Sequence, residues 1–422
     1  MARILLTSLP FAGHVGAMTA VTGELARRGH DLVVHTGEKY HQRFDATWLP
    51  WTRATDFDDS DLAATFPRVD GGTGFRSAKA NVEDVLVGTG AGQAADIITA
   101  ARREPFDLII ADHLAFGGAL AAEVLGTPWA TIAVTPLSFT SRDLPPAAIP
   151  VSPGTTRVGK LRDAALRGAT RALLPRLADP MFNAMRAAAG LGPGSVGGGL
   201  ESLYSPHLVV AQGVPGLEYE RSDLPAHVHF VGRLAPPTRA GRLPAWWPDL
   251  VAARNADRPI VHVTQGTLDV SADDLLKPAI AALAGHEALV VCTTGGAPTT
   301  VLGPLPDNVR AAPFVPHDQL LPMVDVMVTN GGWGGVLAAV QAAVPLVVAA
   351  GTLDKPEVAR RVARSGVGVN LRTGKPTARA VRRAVEQVLS EPHRQRRAHE
   401  LSRAMVEAGG VGRATNLLLD IM

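Results

Sequence analysis

Cysteine is nearly absent: Cys292 is the one thiol in 422 residues. A single cysteine excludes an internal disulfide and a four-cysteine metal site, and it suits a reducing compartment. Charge of one sign is missing too. Lys and Arg number 41 against 39 Asp and Glu, a formal net charge of +2, so no basic excess points to nucleic acid. Long apolar runs are also lacking. The opening Ile4-Leu5-Leu6 run breaks at Pro10, Gly13 and His14, too early for a secretory core, and no later stretch approaches the ~20 apolar residues of a spanning helix. A cytoplasmic protein without stable membrane insertion is the expectation. No short internal repeat is visible.

What is present is enough chain for two full cores. Short apolar runs alternate with helical patterns: Ala2 to Ser8, a helix with Met18, Val21 and Leu25 on one face, Asp31 to Thr36, then Asp107 to Ala111 and Trp129 to Val134. This alternation predicts a doubly wound parallel sheet. Residues 144–199 turn to proline, glycine and amphipathic stretches without strands, read as an acceptor-side elaboration of the first domain. His207 to Ala211 and His229 to Gly232 read as its last strands. Proline and tryptophan then mark a linker, and alternation resumes at Ile260 to Thr264, with Gly266 just after the strand. The division expected is a domain over 1–233, a linker over 234–259, a second domain over 260–408, and a helix over 409–422 returning to the first.

Chemistry concentrates between Phe314 and Val362. The run Val324 to Thr329 has strand length and apolarity, Val336, Leu337 and Val340 are spaced for a buried helix face, and Asn330-Gly331-Gly332-Trp333-Gly334-Gly335 lies between them. A strand entering a helix through glycines points unpaired N–H groups and the positive helix end at one spot, which suits phosphate. A second strand, Pro345 to Ala350, ends at Gly351 with Asp354-Lys355-Pro356-Glu357 behind it. Two neighbouring strand ends then share one crevice, where ligands of open α/β sheets bind.

The ordered set Phe314, Pro316, His317, Asn330-Gly331-Gly332-Trp333, Val344-Pro345 and Asp354-Lys355 resembles the nucleotide-sugar signature of inverting glycosyltransferases that modify small lipophilic acceptors, including antibiotic and plant secondary-metabolite enzymes. The resemblance extends over the whole chain and implies the GT-B fold, two Rossmann-like domains facing across a cleft. It also implies a bacterial enzyme using a UDP or TDP sugar, a lipophilic small-molecule acceptor of natural-product type, no cofactor and no metal. Nucleotide and phosphate would be held by Gly266, Thr267, Phe314, Val315, His317, Asn330, Gly331, Gly332, Trp333, Gly334 and Gly335, and the sugar by Asp354 and Lys355. A monomer or homodimer is expected. Departures from the pattern are Asn330 for a phosphate-binding His, Lys355 for Gln, Val358 for Asn, and Ala338 where plant relatives carry a ribose-binding Glu.

The first βα loop, Leu9 to Gly16, places His14 at a strand's carboxyl end. Sugar transfer to a hydroxyl needs a base near neutral pKa, which imidazole supplies, and family relatives carry their base at the matching Gly-His-Val. Asp112 ends a neighbouring strand and would orient the imidazole, or cap the helix near Leu114. Alternatives stay open elsewhere too. Asp354 and Glu357 have capping-box spacing, Asn330 could be an N-cap, and Phe314 could be core or a platform for the nucleobase. His113 reads as a loop residue. Asp58-Asp59-Ser60-Asp61 follows no strand and reads as a solvated loop, and Arg394, Arg396 and Arg397 as a solvated helix face. Lys160 to Leu177 is basic and partly amphipathic, with membrane contact its less favoured reading. Two rival functions share the fold: a nucleotide-sugar epimerase and a non-catalytic partner protein.

Overall fold

Strand order decides where each half of the chain can bind. The computed structural model describes residues 1–70, 75–147, 149, 151–197, 201–236, 243–266 and 271–422. Two units emerge, one of residues 1–212, 219–236 and 409–422, the other of 213–218 and 237–408. In the first unit, β1 (Arg3–Thr7), β2 (Asp31–His35), β3 (Thr47–Leu49), β4 (Leu108–Asp112), β5 (Trp129–Ala133), β6 (Val209–Ala211) and β7 (Val228–Phe230) form one sheet. Its order is β3-β2-β1-β4-β5-β6-β7, with every pairing parallel. The second unit has β8 (Ile260–Thr264), β9 (Leu289–Thr293), β10 (Val309–Ala312), β11 (Val326–Thr329), β12 (Leu346–Val348) and β13 (Gly368–Asn370). Their order is β10-β9-β8-β11-β12-β13, again all parallel. Each sheet reverses direction of growth once, between β1 and β4 and between β8 and β11. Those two switch points are where loops splay apart and leave a crevice at the carboxyl ends.

The inner strands β4, β5, β8 and β9 are fully buried, as parallel strands covered on both faces must be. Cys292 lies in β9 with no exposed surface, and burial pushes its thiol up to about 12. Helix Ala12–Arg27 follows β1 and buries Val15, Met18, Val21 and Leu25. Its N-cap residue Phe11 has no side-chain acceptor, and the Ala12 N–H is met instead by the Asp59 carboxylate at 2.9 Å. Tyr40 donates its hydroxyl to the same carboxylate at 2.7 Å. Asp59 is thus buried at 6% exposure, which corrects the reading of its acidic run as merely solvated.

Helix Gly410–Leu419 packs Ala414 and Leu418 into the core that holds Val15, Met18 and Val21. Arg28 donates to Asn416 Oδ1 at 2.7 Å on the same face. The proline-rich stretch before β8 is not all linker. Helix Trp247–Asn255 lies within it, buries Leu250 and Ala253, and belongs to the second unit, where the Trp246 indole N–H donates to the Ala311 carbonyl at 2.8 Å. Between β5 and β6, the described residues hold no strand and one long helix, Arg157–Ala188, started by Thr156 Oγ1 accepting the Gly159 N–H at 3.1 Å.

Candidate active site

At the first switch point β1 and β4 deliver one residue each. His14 sits in the first turn after β1, and its Nδ1 lies 2.6 Å from Oδ2 of Asp112, the last residue of β4. The Asp112 side chain has no exposed surface, whereas that of His14 is 13% exposed. The same carboxylate accepts N–H groups from Leu9 at 3.3 Å and Leu114 at 3.1 Å. It therefore ties the two strand-end loops together and fixes the ring it holds. Helix Phe116–Leu125 starts later, with Ala115 at its N-cap, so Asp112 does not cap it. Burial pushes the Asp112 carboxyl up, but the charge of His14 and hydrogen bonds from His113 and His14 outweigh it, and the group stays ionised well below the usual carboxylate range. An imidazole bound at Nδ1 by a permanent anion is oriented to take a proton at Nε2.

His113 is no simple loop residue. It is 5% exposed, its Nδ1 lies 3.3 Å from Oδ1 of Asp112, and its ring stacks at 6.4 Å on that of His14. Beside His14 lies half-buried Phe11 (5.4 Å between ring centroids), which packs on the buried cluster of Phe57 (5.2 Å from Phe11) and Phe66 (5.5 Å from Phe57).

The second switch point joins the ends of β8, β11 and β12. Gly266, with φ +77°, follows β8, and the Asn330 amide after β11 donates to the Gln265 carbonyl beside it. Asn330 Oδ1 accepts the Gly332 N–H at 3.3 Å. This side chain binds two loops to each other, and Gly332 rather than Asn330 is the N-cap of helix Trp333–Gln341. Gly331 has φ +89°, and a Cβ there would lie 2.8 Å from Val348 Cγ1 and 3.4 Å from the Lys355 carbonyl, so the glycine lets the β11 loop touch the loop after β12. Gly334 faces open space, with nothing within 4 Å of where its Cβ would be. The first-turn N–H groups of Trp333, Gly334 and Gly335 have no intrahelical partner, and no acidic residue stands in that turn.

Of the remaining expected nucleotide contacts, Phe314 is 67% exposed, which excludes the core reading. Val315 and Trp333 are buried at 1% and 4% in the second unit's core, so their side chains face away from any ligand and only their backbone is open to one. His317 opens the short helix His317–Leu320 with its ring 5.6 Å from that of His262. Thr267 lies outside the described residues. Asp354 precedes helix Lys355–Ser365 and makes no capping bond, while Glu357 pairs with Arg360 and Arg361. The capping-box reading of Asp354 is therefore not realised. Asp354 and Lys355 are both half-buried, beside Gly331. The sequence did not single out Tyr40 or Gln265, and it named Asp59 only as part of a solvated acidic run; the partners of all three are distant along the chain. A cavity of about 1000 Å³ lined by Gly126, Pro128, Trp129, Phe182, Arg186 and His207 opens at the amino ends of β5 and β6, the opposite edge of the sheet from His14.

Known proteins are similar to this chain over both units. Residues 278–409 match the family described as erythromycin biosynthesis protein CIII-like, C-terminal domain. The chain is 40% identical over 396 residues to 4'-demethylrebeccamycin synthase of Lentzea aerocolonigenes, covering 93% of this chain and 92% of that one. It is 31% identical over 425 aligned positions to UDP-glycosyltransferase 2 of Phaeomoniella chlamydospora, covering 95% and 91%. Among solved structures, CalG4, the calicheamicin glycosyltransferase, superposes with a TM-score of 0.71 at 21% identity over 100% of this chain and 98% of its own. The glycosyltransferase VinC in complex with DTDP gives 0.69 at 22% identity, covering 99% of each. Two parallel-sheet Rossmann-like units with these relatives define a GT-B glycosyltransferase that uses a nucleotide-sugar donor. The chain belongs to the bacterial UDP-glycosyltransferase-like family of antibiotic-biosynthesis glycosyltransferases.

Proposed function

We propose that this enzyme transfers a sugar from a uridine or thymidine diphosphate to a hydroxyl of a lipophilic natural product by one inverting displacement, without a metal or cofactor. The observation that carries the reading is the 2.6 Å contact between His14 Nδ1 and the buried, ionised Asp112. His14 removes the acceptor proton through Nε2, Asp112 stabilises the imidazolium formed, and the acceptor oxygen attacks the anomeric carbon from the side opposite the leaving diphosphate. Charge growing on the diphosphate is met by the first-turn N–H groups of helix Trp333–Gln341 and its dipole.

Support for a metal-free reaction comes from what the nearest acidic run does instead. Asp58 binds Lys39 and Ser60, Asp59 holds Ala12, Tyr40 and Lys39, and Asp61 caps a short helix through the Ala64 N–H. Support for a lipophilic acceptor comes from Phe11, half-buried beside the base and backed by the buried rings of Phe57 and Phe66. The diphosphate in VinC is DTDP, and the fungal relative is named for UDP, which supports a pyrimidine donor.

The test replaces His14 by Ala and Asp112 by Asn. Both variants should lose about 10²–10⁴-fold in kcat while thermal shift with UDP or TDP is retained. NMR of the product should show an inverted anomeric centre, and EDTA should leave the rate unchanged. Wild-type turnover in His14→Ala with a hydroxyl acceptor would remove the assignment of the base, and activity lost to EDTA and restored by Mg²⁺ would remove the metal-free mechanism.

A further inference from the structure

Charge and apolar exposure are distributed unevenly, and both peak on helix Arg157–Ala188. It contains seven Lys and Arg against two Asp, a formal charge of +5 in a chain whose total is +2. Three of its cations are engaged: Arg162 with Asp163, Arg167 with the Leu144 carbonyl, and Arg186 with Glu123. The side chains of Arg157, Lys160, Arg171 and Arg176 make no hydrogen bond or ion pair with any described residue. Elsewhere most arginines with a carboxylate in reach are paired, as Arg3, Arg68, Arg254 and Arg310 are.

The same helix leaves four large apolar side chains in water: Val158 at 78% exposure, Leu161 at 72%, Leu173 at 53% and Leu177 at 78%. With about 3.6 residues per turn, buried Asp163 marks the inner face, and Val158 and Leu161 lie on the outer one. Leu173 and Leu177 continue along one flank, and Arg157, Lys160 and Arg171 line the other. Exposing four such side chains on one helix has a cost that a monomer in water does not recover.

We infer that this helix docks the enzyme peripherally on an anionic lipid surface, its leucines at the acyl boundary and its unpaired cations among the headgroups. Charge complementarity selects that occupant. A second copy of the same helix would oppose cation to cation, and an uncharged apolar partner would leave the cationic flank unmatched. The geometry is that of a helix lying in the interface plane, with an apolar side, a basic side and long cationic stems that reach the headgroups. It has too many charges to cross.

The experiment is flotation of the full-length enzyme with vesicles of phosphatidylcholine alone or mixed equally with phosphatidylglycerol. Binding should require phosphatidylglycerol and fall steeply with added salt. Each cation removed should weaken it about five-fold, so Arg157→Gln, Lys160→Gln and Arg171→Gln together should weaken it by roughly 100-fold. Leu161→Gln with Leu177→Gln should also release the protein, with the melting temperature unchanged in both sets. Equal binding to both vesicle types, no binding, or unaltered binding of the variants would overturn the proposal. So would a dimer in sedimentation equilibrium that the leucine changes abolish, since the face would then belong to a second copy.

Discussion

Asp354 shows how one residue's surroundings decide between two roles. Its backbone is already helical at φ −77° and ψ −16°, and its carboxylate makes no cap. Asp354→Ala therefore removes no helix cap and should lower kcat/KM for the preferred sugar about 5- to 150-fold, the range for a lost hydrogen bond to a buried polar ligand, with a smaller fall in melting temperature than the loss of an N-cap would give. A lower melting temperature with normal kcat/KM would restore the structural role. Lys355→Gln exchanges a donor-only side chain for one that also accepts, and it should reorder the ranking of donor sugars, read from a donor panel. Residues of this kind were legible because strand ends and glycines mark them. His14 and Asp112 stood at the ends of obvious apolar runs. Asp59 did not, because the N–H it satisfies belongs to Ala12, 47 positions away, and nothing local separates a buried acid from a solvated one. Trp333 was misleading for a related reason: glycines on both sides suggest an open site, but its ring turns inward to 4% exposure.

At the level of elements, β1, β2, β4, β5, β8 and β11 were readable as apolar runs; the structure keeps β8 as read, shifts β4 by one residue and shortens the others by one or two. Arg394 and Arg397 were not readable as more than surface. Arg394 donates to the Gly368 carbonyl at 2.8 Å and Arg397 to that of Ser365 at 2.8 Å, holding the end of one helix against another. Two glycines of the β11 turn separate shape from binding. Gly331→Ala forces a side chain into positive φ and against Val348, and should cost about 1–3 kcal/mol in urea unfolding. Gly334→Ala is helical and meets no neighbour, so stability should be unchanged or rise by up to about 1 kcal/mol. Its methyl group would occupy the space in front of the helix end, and UDP or TDP affinity by calorimetry should fall. Unchanged affinity in Gly334→Ala would mean that the diphosphate does not sit there.

For the whole molecule, each unit encloses a histidine held neutral. Burial lowers the pKa of His35 below 6.5, with Asp96 opposing, and burial with the charge of His317 lowers that of His262 from 6.5 to about 3. A lowered folded pKa means that the unfolded chain binds more protons below 6.5, so stability falls as pH falls, from 6.5 down to about 3 for His262. The slope is at most about 1.4 kcal/mol per pH unit for each histidine. Asp96 and Asp112 have depressed pKa values and add their own losses only below the ordinary 3.8. Urea midpoints between pH 7 and 4.5 should therefore decline, and His262→Gln should flatten the decline in the second unit; an unchanged slope would contradict it. Cys292, enclosed in β9 with its thiol pushed up to about 12, has a practical corollary. A thiolate that does not form at neutral pH does not react with maleimides. Any cysteine introduced at an exposed position becomes the sole chemical handle on the native chain, so a spin label or fluorophore can be attached there without first removing the natural one.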